Sequence, residues 1–537
     1  MTSAHKSHRA DFVVVGAGIA GLRAAIELSA AGSVLVLAKS SLCDTATALA
    51  HGGIAGAPSD EEEIRLHQQD TLQAGDGLCR TEAVKVLVEE GPEYIKELIE
   101  WATKFNRAGT KLAFTREAAN SKSRVLHTAG DSTGAEIIGT LLARAHGISH
   151  LHLRQHSFTT DLLSQSGRVV GLRFVDETDG SHHEVRARAA LLATGGLGRV
   201  YQETTNPAAA TGDGVALAYE AGAALSDLEF VQFYPTSLAV KDAPRFPLPE
   251  ALRREGGILR NVQLERFMKR YNEAQELAPA EMLARDIATE IGRTQSELVY
   301  LDMTAKSEEF LRKRFPRAYE TCLSCGLDLA SDLAPVRPAA HYAMGGVKAD
   351  LWGRTSLPGL YVAGETAATG VHGANRLPSN SLLEGLVFGA RAGQAMKEDA
   401  PFAKRSSAAL PGNPAPKPGN SSAPNRVVGA TKPAPCAALS QVQALMWRHA
   451  GVLRDRKELA ASIEQLESLE LPKAGKCTRA DRELHNIHTL ALLIARSALA
   501  REESRGSHYR SDFPYRSDED FGKHSVVQKG QEVRFES

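Results

Sequence analysis

The sequence predicts an α/β chain: a Rossmann-like dinucleotide-binding domain, interrupted by an inserted α+β domain and followed by a C-terminal three-helix domain. Three observations carry this. First, Asp11-Phe12-Val13-Val14-Val15 is a short unbroken apolar run, as found in strands covered on both faces, and Gly16-Ala17-Gly18-Ile19-Ala20-Gly21 follows it at once, ahead of a helical pattern over 22–30. Second, comparable apolar strands recur at 33–38, 189–193 and 360–363, the last two running into glycine-containing turns. Third, residues 236–340 are mixed and charge-rich, and a strand-and-turn pattern resumes only at His341.

The domains drawn from this are 1–235 with 341–400 for the dinucleotide unit and 236–340 for the insert. Residues 401–435, rich in Pro, Ala, Ser and Asn, read as a linker, and 436–537 as the helical domain. A length of 537 residues is enough for several domains, and a net charge of −1 gives no electrostatic case for nucleic acid or an anionic membrane. No apolar run reaches the ~20 residues that span a bilayer, and the polar first ten residues lack the apolar core of a signal peptide. Six scattered cysteines fit a reducing cytoplasm; Cys322-Leu-Ser-Cys325 stands without a second pair and reads as two small residues on a helix.

In chain order, the glycines of 16–21 permit a tight turn, close approach of backbone to a pyrophosphate, and close helix–strand packing. The second strand, 33–38, ends in Lys39 where a dinucleotide site usually has an acidic residue for the ribose hydroxyls. That argues against a standard NAD site and places a lysine near cofactor phosphates or ribose. The small, Gly-rich stretch 45–56, with Thr47, Gly52 and Gly53, suits a loop on which a cofactor lies. Amphipathic helices are expected at 61–78 and 82–101, and a helix capped by Thr133 with Glu136. Alternating runs between 151 and 190 predict a small meander of strands, and Asp213 opens a helix, either as a cap or as an acceptor for a cofactor hydroxyl. Three helices are expected at 437–450, 455–469 and 479–502.

The stretch 359–389 concentrates the chemistry. An apolar strand turns at Gly364-Glu365, and a Gly-rich crossing presents His372, Asn375 and Arg376. A helix is expected to start at Ser381, paired with Glu384 as a capping box. First-turn amides such as those of Leu382 and Leu383 lack intrahelical partners and suit a negatively charged group, and Arg376 can grip a carboxylate bidentately. The plain alternative is a capped core helix with an arginine near its start.

Together, VVVGAGIAGL, HGGIAG, LLATGG, NPAAATGDG, EFVQFYPTSL, HYAMGGV and GLYVAGETAATGVHGANRLPSNSLLEG, with ALAREESRGSHYRSDFP near the end, resemble the succinate dehydrogenase/fumarate reductase flavoprotein family. The likeness covers essentially the whole chain and is nearest to the branch that oxidises L-aspartate. It implies FAD and makes the insert a capping domain. The histidine that carries covalent flavin in membrane-bound relatives would fall near Ala46, so the FAD is expected to be non-covalent. The resemblance also assigns Glu365, Asn380, Ser381 and Leu382 to the flavin.

By the same likeness, Arg376 and His341 hold substrate carboxylates, with Tyr234 and Glu250 beside them, and Glu117 faces a substrate ammonium. Arg285 matches an arginine proposed to carry the proton; a guanidinium holds its proton past roughly pH 12, so it must act inside a relay or electrostatically. Tyr234 and Pro249 replace a histidine and a threonine common in the family; tyrosine keeps one donor and proline has none. The implied reaction is oxidation of L-aspartate to iminosuccinate with O2 or fumarate as acceptor, the first step of quinolinate and NAD synthesis, with quinolinate synthase downstream. No metal is expected, and the protein is expected to be a monomer or homodimer. The alternatives are a soluble fumarate reductase or succinate dehydrogenase-type enzyme, and a non-catalytic FAD-binding protein whose flavin no dicarboxylate would bleach.

Overall fold

The computed structural model describes residues 6–50, 52–56, 60–116, 120–128, 132–400, 437–472 and 478–537. Its centre is a five-stranded parallel sheet in the order Leu360–Val362, Ala189–Leu192, Phe12–Val15, Val34–Leu37, Leu151–Arg154. The apolar runs form these strands because both faces are covered. Phe12, Val14, Val34 and Val36 point to one side, into a core shared with Leu22, Ile137 and Leu386. Val13, Val15, Leu35 and Leu37 point to the other, meeting Leu172, Phe174 and Val185 and continuing to Ile487 and Ile494 of the C-terminal region. The expected meander is present, with one change: its first strand, Leu151–Arg154, joins the parallel sheet, while Ser157–Gln165, Arg168–Asp176 and His182–Arg186 pair antiparallel and Lys6–Arg9 adds a parallel edge strand beside His182–Arg186.

On the first face the helix Ile19–Leu28 lies against the helix Asn380–Asp399 with almost no gap. A Cβ added at Gly389 would stand 2.6 Å from the Ala20 carbonyl oxygen, and one at Gly385 2.5 Å from Ile19 Cγ2. The start of the long helix differs from the sequence reading. It begins at Asn380 with Ser379 as N-cap, held at φ 70°, so Ser381 is its second residue and no Ser381–Glu384 box forms. The helix Thr133–His146 likewise takes Ser132, not Thr133, as N-cap, and Glu136 accepts from the Lys104 amide instead. At Asp213–Glu220 the cap is Gly212, with φ 72°.

Val231–Leu238 and Ala334–Ala343 form a long antiparallel pair that leaves the parallel sheet and carries Val299–Asp302 and Ile258–Arg260 on its far edge. The register slips between Gln232 and Phe233 and again between Tyr234 and Ser237, around Pro235, which has no amide to give the ladder. This sheet and its helices hold a separate core, including Leu252, Leu259, Phe267, Ile287 and Leu301. The three C-terminal helices are Ala437–His449, Arg456–Glu467 and Arg479–Ala500. The tail then adds two strands, His524–Val527 and Arg534–Glu536, to a sheet with Leu225–Ser226, Gly346–Lys348 and Ala367–Ala368. Sequence pattern did not reveal them, because both are short and the first is placed by pairing with Leu225–Ser226, about 300 positions away, while the second pairs only with the first.

Buried arginines fix this tail. Arg501 is fully buried and donates to Glu229 (2.7 Å), Glu503 (2.9 Å) and the carbonyls of Phe521 and Lys523 (both 2.8 Å). Arg505 holds Glu503 bidentately at 2.7 and 2.9 Å. A satisfied guanidinium offsets the cost of desolvating these carboxylates, whereas removing it leaves them buried and unmatched. Replacing Arg501 by methionine should therefore destabilise the protein by about 3–5 kcal/mol. Thermal unfolding of the variant checks this; an unchanged midpoint would show that the tail docks without that arginine.

Candidate active site

A single cleft of about 1840 Å³ runs from the C-terminal ends of the parallel strands to the root of the long antiparallel pair. Its first half is a dinucleotide cradle. Gly16 sits at φ 113°, and a Cβ there would fall 2.0 Å from the Ala193 carbonyl oxygen, so only glycine lets the two strand ends approach. The helix that follows begins at Ile19 after Gly18, exposing first-turn amides to the cleft; the Ile19 amide donates to Thr47 Oγ1 at 3.2 Å. Gly16, Ala17, Gly18, Ile19 and Ala20 line the cleft, as do Thr47, Gly52 and Gly53 across it; Gly21 packs back on the Gly16 carbonyl. A Gly-lined anion cradle opening into a long cavity fits the pyrophosphate and two ends of FAD.

Lys39 lies at the end of the second strand, as the sequence reading placed it, but its amine is already engaged. It donates to Asp213 (2.5 Å), Thr211 (2.6 Å) and Glu483 (2.8 Å). Asp213 is in the first turn of its helix and lines the cleft, so it combines the two roles considered for it only in part: the cap belongs to Gly212.

The second half is built around Arg376. Its guanidinium is buried, with Nε and Nη2 donating to Gln232 Oε1 at 3.1 and 2.9 Å and Nη1 at 3.4 Å from Ser381 Oγ. Beneath it, 4.7 Å away, lies the ring of Tyr342. Tyr342 donates its hydroxyl to Glu384 at 2.6 Å, and Glu384 also accepts from Thr369 at 2.6 Å and meets His372 Nε2 at 3.1 Å. Glu384 is thus the hub of a buried polar network behind the arginine, not half of a helix cap. These donors hold its carboxyl below the usual range against the cost of burial, which itself drives the Tyr342 phenol well above its usual value. His372 faces this network and not the cleft. Asn375 accepts from Gln232 Nε2 at 3.0 Å.

Glu365 lies directly under Gly196, where a Cβ would come 2.2 Å from its Oε1, and it accepts from the Ala343 amide at 3.0 Å. Burial pushes its carboxyl up to about 7, with Arg376 opposing the shift. Ser381 and Leu382 line the cleft at the head of the long helix. Asn380 does not: its side chain is buried between His67 Nε2 (2.7 Å) and Thr71 Oγ1 (3.0 Å), bracing the helix start.

On the insert's side, His341 shares a 2.7 Å hydrogen bond between Nδ1 and Thr205 Oγ1, and its ring stands 5.3 Å from that of Tyr234. The Tyr234 hydroxyl donates to the Leu248 carbonyl at 3.0 Å, which turns its hydrogen toward backbone. Glu250 lines the cleft and pairs with Arg254 at 2.7 Å. Beside it is a buried cation that the sequence reading passed over: Arg253, bonded to Thr236 Oγ1 (2.8 Å) and the Glu276 carbonyl (3.1 Å), its pKa lowered by burial. Arg285 is not among the cleft-lining residues. It donates to the Gly506 carbonyl and lies 4.9 Å over Tyr509, tying the insert to the C-terminal tail. Glu117 lies outside the described residues. Gln232, Tyr342 and Arg253 were therefore missed; the first two sit inside motifs whose other residues drew attention, and Arg253 looks like any surface charge in PEALRREGG.

Comparison with known proteins agrees with this geometry. Residues 11–382 match the FAD binding domain family, and 439–537 match the fumarate reductase flavoprotein C-terminal family. The L-aspartate oxidase of Caulobacter vibrioides is 41% identical over 507 residues, covering 94% of this chain and 93% of the relative. That of Neisseria meningitidis is 37% identical, covering 94% and 99%, and the chloroplastic L-aspartate oxidase 2-b of Nicotiana tabacum is 39% identical, covering 94% and 81%. Among solved structures, the FrdA chain of E. coli quinol fumarate reductase superposes with a TM-score of 0.87 at 29% identity, over 99% of this chain and 97% of that one. With an anion cradle, an FAD-sized cleft and relatives of this closeness over nearly its whole length, the chain belongs to the L-aspartate oxidase family of FAD flavoproteins.

Proposed function

We propose that this protein oxidises L-aspartate to iminosuccinate with non-covalent FAD and passes the electrons to O2 or fumarate. The observation that carries the reading is Arg376: a buried guanidinium held at one end by Gln232, with Ser381 and the head of a helix beside it, in the same cleft as the dinucleotide cradle. The relatives' activity, by name, is the one proposed.

Bound FAD supplies the two-electron acceptor for the reaction. As carbon 2 of the substrate gives up a hydride, the ammonium loses protons and a C=N bond forms. The chain's part is to hold the dianion so that carbon 2 faces the cofactor, which is the larger share of what a protein contributes to such a step. Arg376 takes one carboxylate in a fork, and His341, fixed by Thr205, offers a further polar contact. The second carboxylate falls to the insert's side of the cleft, where Arg253 lies buried beside Glu250. Tyr234, with its hydrogen on Leu248, serves there by shape and through its ring against His341. Glu117 receives the substrate ammonium. Arg285 acts electrostatically or within a relay; in this arrangement it would have to leave Gly506 to reach the cleft.

The enzyme is placed at the first step of quinolinate and NAD synthesis, ahead of quinolinate synthase, in the cytoplasm, as a monomer or homodimer. Among the described residues no helix is long and apolar enough to cross a membrane. A soluble fumarate reductase or succinate dehydrogenase-type activity is the second reading, kept open by the replacements at Tyr234 and Pro249, which leave the substrate less fixed than the cofactor, and supported by the likeness to the fumarate reductase chain.

Three outcomes separate these readings. Anaerobic titration should bleach the flavin with L-aspartate and not with succinate; bleaching by succinate alone would establish the second reading. Arg376→Leu should lower kcat/KM by about a hundredfold or more while FAD stays bound, since the substrate loses its fixed orientation; retained turnover would remove Arg376 from the mechanism. Glu117→Gln should raise KM for L-aspartate roughly ten- to a hundredfold, the worth of a hydrogen bond to a charged group, without weakening inhibition by succinate. Equal weakening of both ligands would assign Glu117 to general packing.

A further inference from the structure

The cofactor cleft has a wall that belongs to another part of the chain. The helix Arg479–Ala500, in the C-terminal region, presents Arg479, Glu483 and Asn486 toward the end of the second parallel strand. Glu483 accepts from Lys39 at 2.8 Å and from Arg479 Nε at 3.0 Å. Asn486 Nδ2 donates at 2.9 Å to Asp213 Oδ1, the oxygen that also accepts from the Thr211 hydroxyl at 2.9 Å. Arg479 in addition reaches the Lys39 carbonyl at 3.1 Å and Glu177 at 2.7 Å. The packing is equally close: a Cβ on Gly212, the residue before Asp213, would fall 2.1 Å from Leu490 Cδ1. A small cavity of about 190 Å³ sits here, lined by Arg482, His485 and Asn486 of the helix and by Thr160, and three further walls, Phe158, Thr159 and Leu217, also line the main cleft.

We propose that this helix is a working wall of the FAD site. Glu483 and Asn486 are positioning residues: they hold Lys39 and Asp213 in place for the adenosine ribose, so FAD binding and docking of the helix reinforce each other. The chemistry favours a sugar over a phosphate. Asp213 presents a carboxylate to the cleft, and a carboxylate accepts from a sugar hydroxyl but repels a phosphate. In a standard dinucleotide site one acidic residue at the strand end meets the ribose directly. Here Lys39 occupies that place, and the acidic group comes from Asp213, whose orientation depends on Lys39 and Asn486. A ligand that binds only the arrangement with the helix docked must stabilise that docking by linkage.

The test uses the full chain, FAD-loaded and stripped of flavin. Glu483→Gln and Asn486→Ala should each weaken FAD binding about tenfold, the effect of losing one hydrogen bond to a charged group, and shrink the rise in melting temperature that FAD produces. In the unmodified protein, FAD should slow amide hydrogen exchange across 479–490. A variant that lowers the melting temperature of the stripped protein but leaves the FAD affinity and the FAD-dependent rise intact would overturn the proposal and leave the helix a structural support. If the variants do not fold, exchange in the unmodified protein decides, and amides 479–490 indifferent to FAD would overturn it. None of these readouts involves substrate, so they stand whether or not L-aspartate is the reductant.

Discussion

The contact on which the site depends is the one between the helices Ile19–Leu28 and Asn380–Asp399. Gly385, Gly389 and Gly393 let the second helix press against Ile19, the Ala20 carbonyl and the Ala24 carbonyl; a Cβ on these glycines would come within 2.5–2.9 Å of them. The consequence is functional as well as structural. Each helix begins at the cleft, so two sets of first-turn amides, each at the positive end of a helix dipole, face one cavity. One suits the pyrophosphate of a dinucleotide. The other stands beside Ser381 and Arg376. Larger residues at the crossing would separate the two halves of the chemistry, because the parallel sheet fixes the first helix and Arg376 travels with the second.

The same economy of placement governs the buried charges. Arg376 is a buried cation with oxygen around it: Gln232 in direct contact, the Glu365 carboxyl within electrostatic reach, and Glu384 behind the Tyr342 ring. The Gln232 amide oxygen takes both Nε and Nη2 and so fixes the plane of the guanidinium, with Nη1 directed toward Ser381. Glu384 contributes negative charge one residue removed, with its own oxygens satisfied by Tyr342, Thr369 and His372. Glu365, with fewer donors, is left with its carboxyl raised to about 7.

The legible part of this protein was the part dictated by local pattern. Strands at 12–15, 34–37, 189–192 and 360–362 and the glycines of 16–21 follow from apolar runs and turn chemistry, and the three C-terminal helices from their periodicity. What could not be read is what depends on distant partners. Ser381 and Glu384 have the spacing of a capping box, yet Ser379 takes the cap through a left-handed φ, and Glu384 is claimed by residues 342, 369 and 372. Lys39 reads as a free cation until Asp213 and Glu483 are brought to it from 174 and 444 positions away. Tyr234 reads as a donor until Leu248 takes its hydrogen. In each case the residue type was seen correctly and its partner was not, because the partner is set by topology.

Topology also explains why the insert and the tail meet at the site's edge. The insert leaves the parallel unit through Val231–Leu238 and returns through Ala334–Ala343, so Gln232, Tyr234 and His341 sit at its hinge-like root while Arg253 and Glu250 sit farther out. Arg285, on the insert, bonds to the carbonyl of Gly506, and Gly506 in turn donates its amide to Asp76 at 2.8 Å. The neighbouring Ser507 donates its amide to the carbonyl of Ala374, two residues before Arg376, at 3.0 Å. The insert is thus linked to the segment that carries Arg376 through two adjacent residues of the tail, Gly506 and Ser507. The buried arginines 501, 505 and 510 anchor that tail, so the C-terminal region bears on both halves of the cleft: through Glu483 and Asn486 on Lys39 and Asp213, and through Ser507 on Ala374, two residues before Arg376.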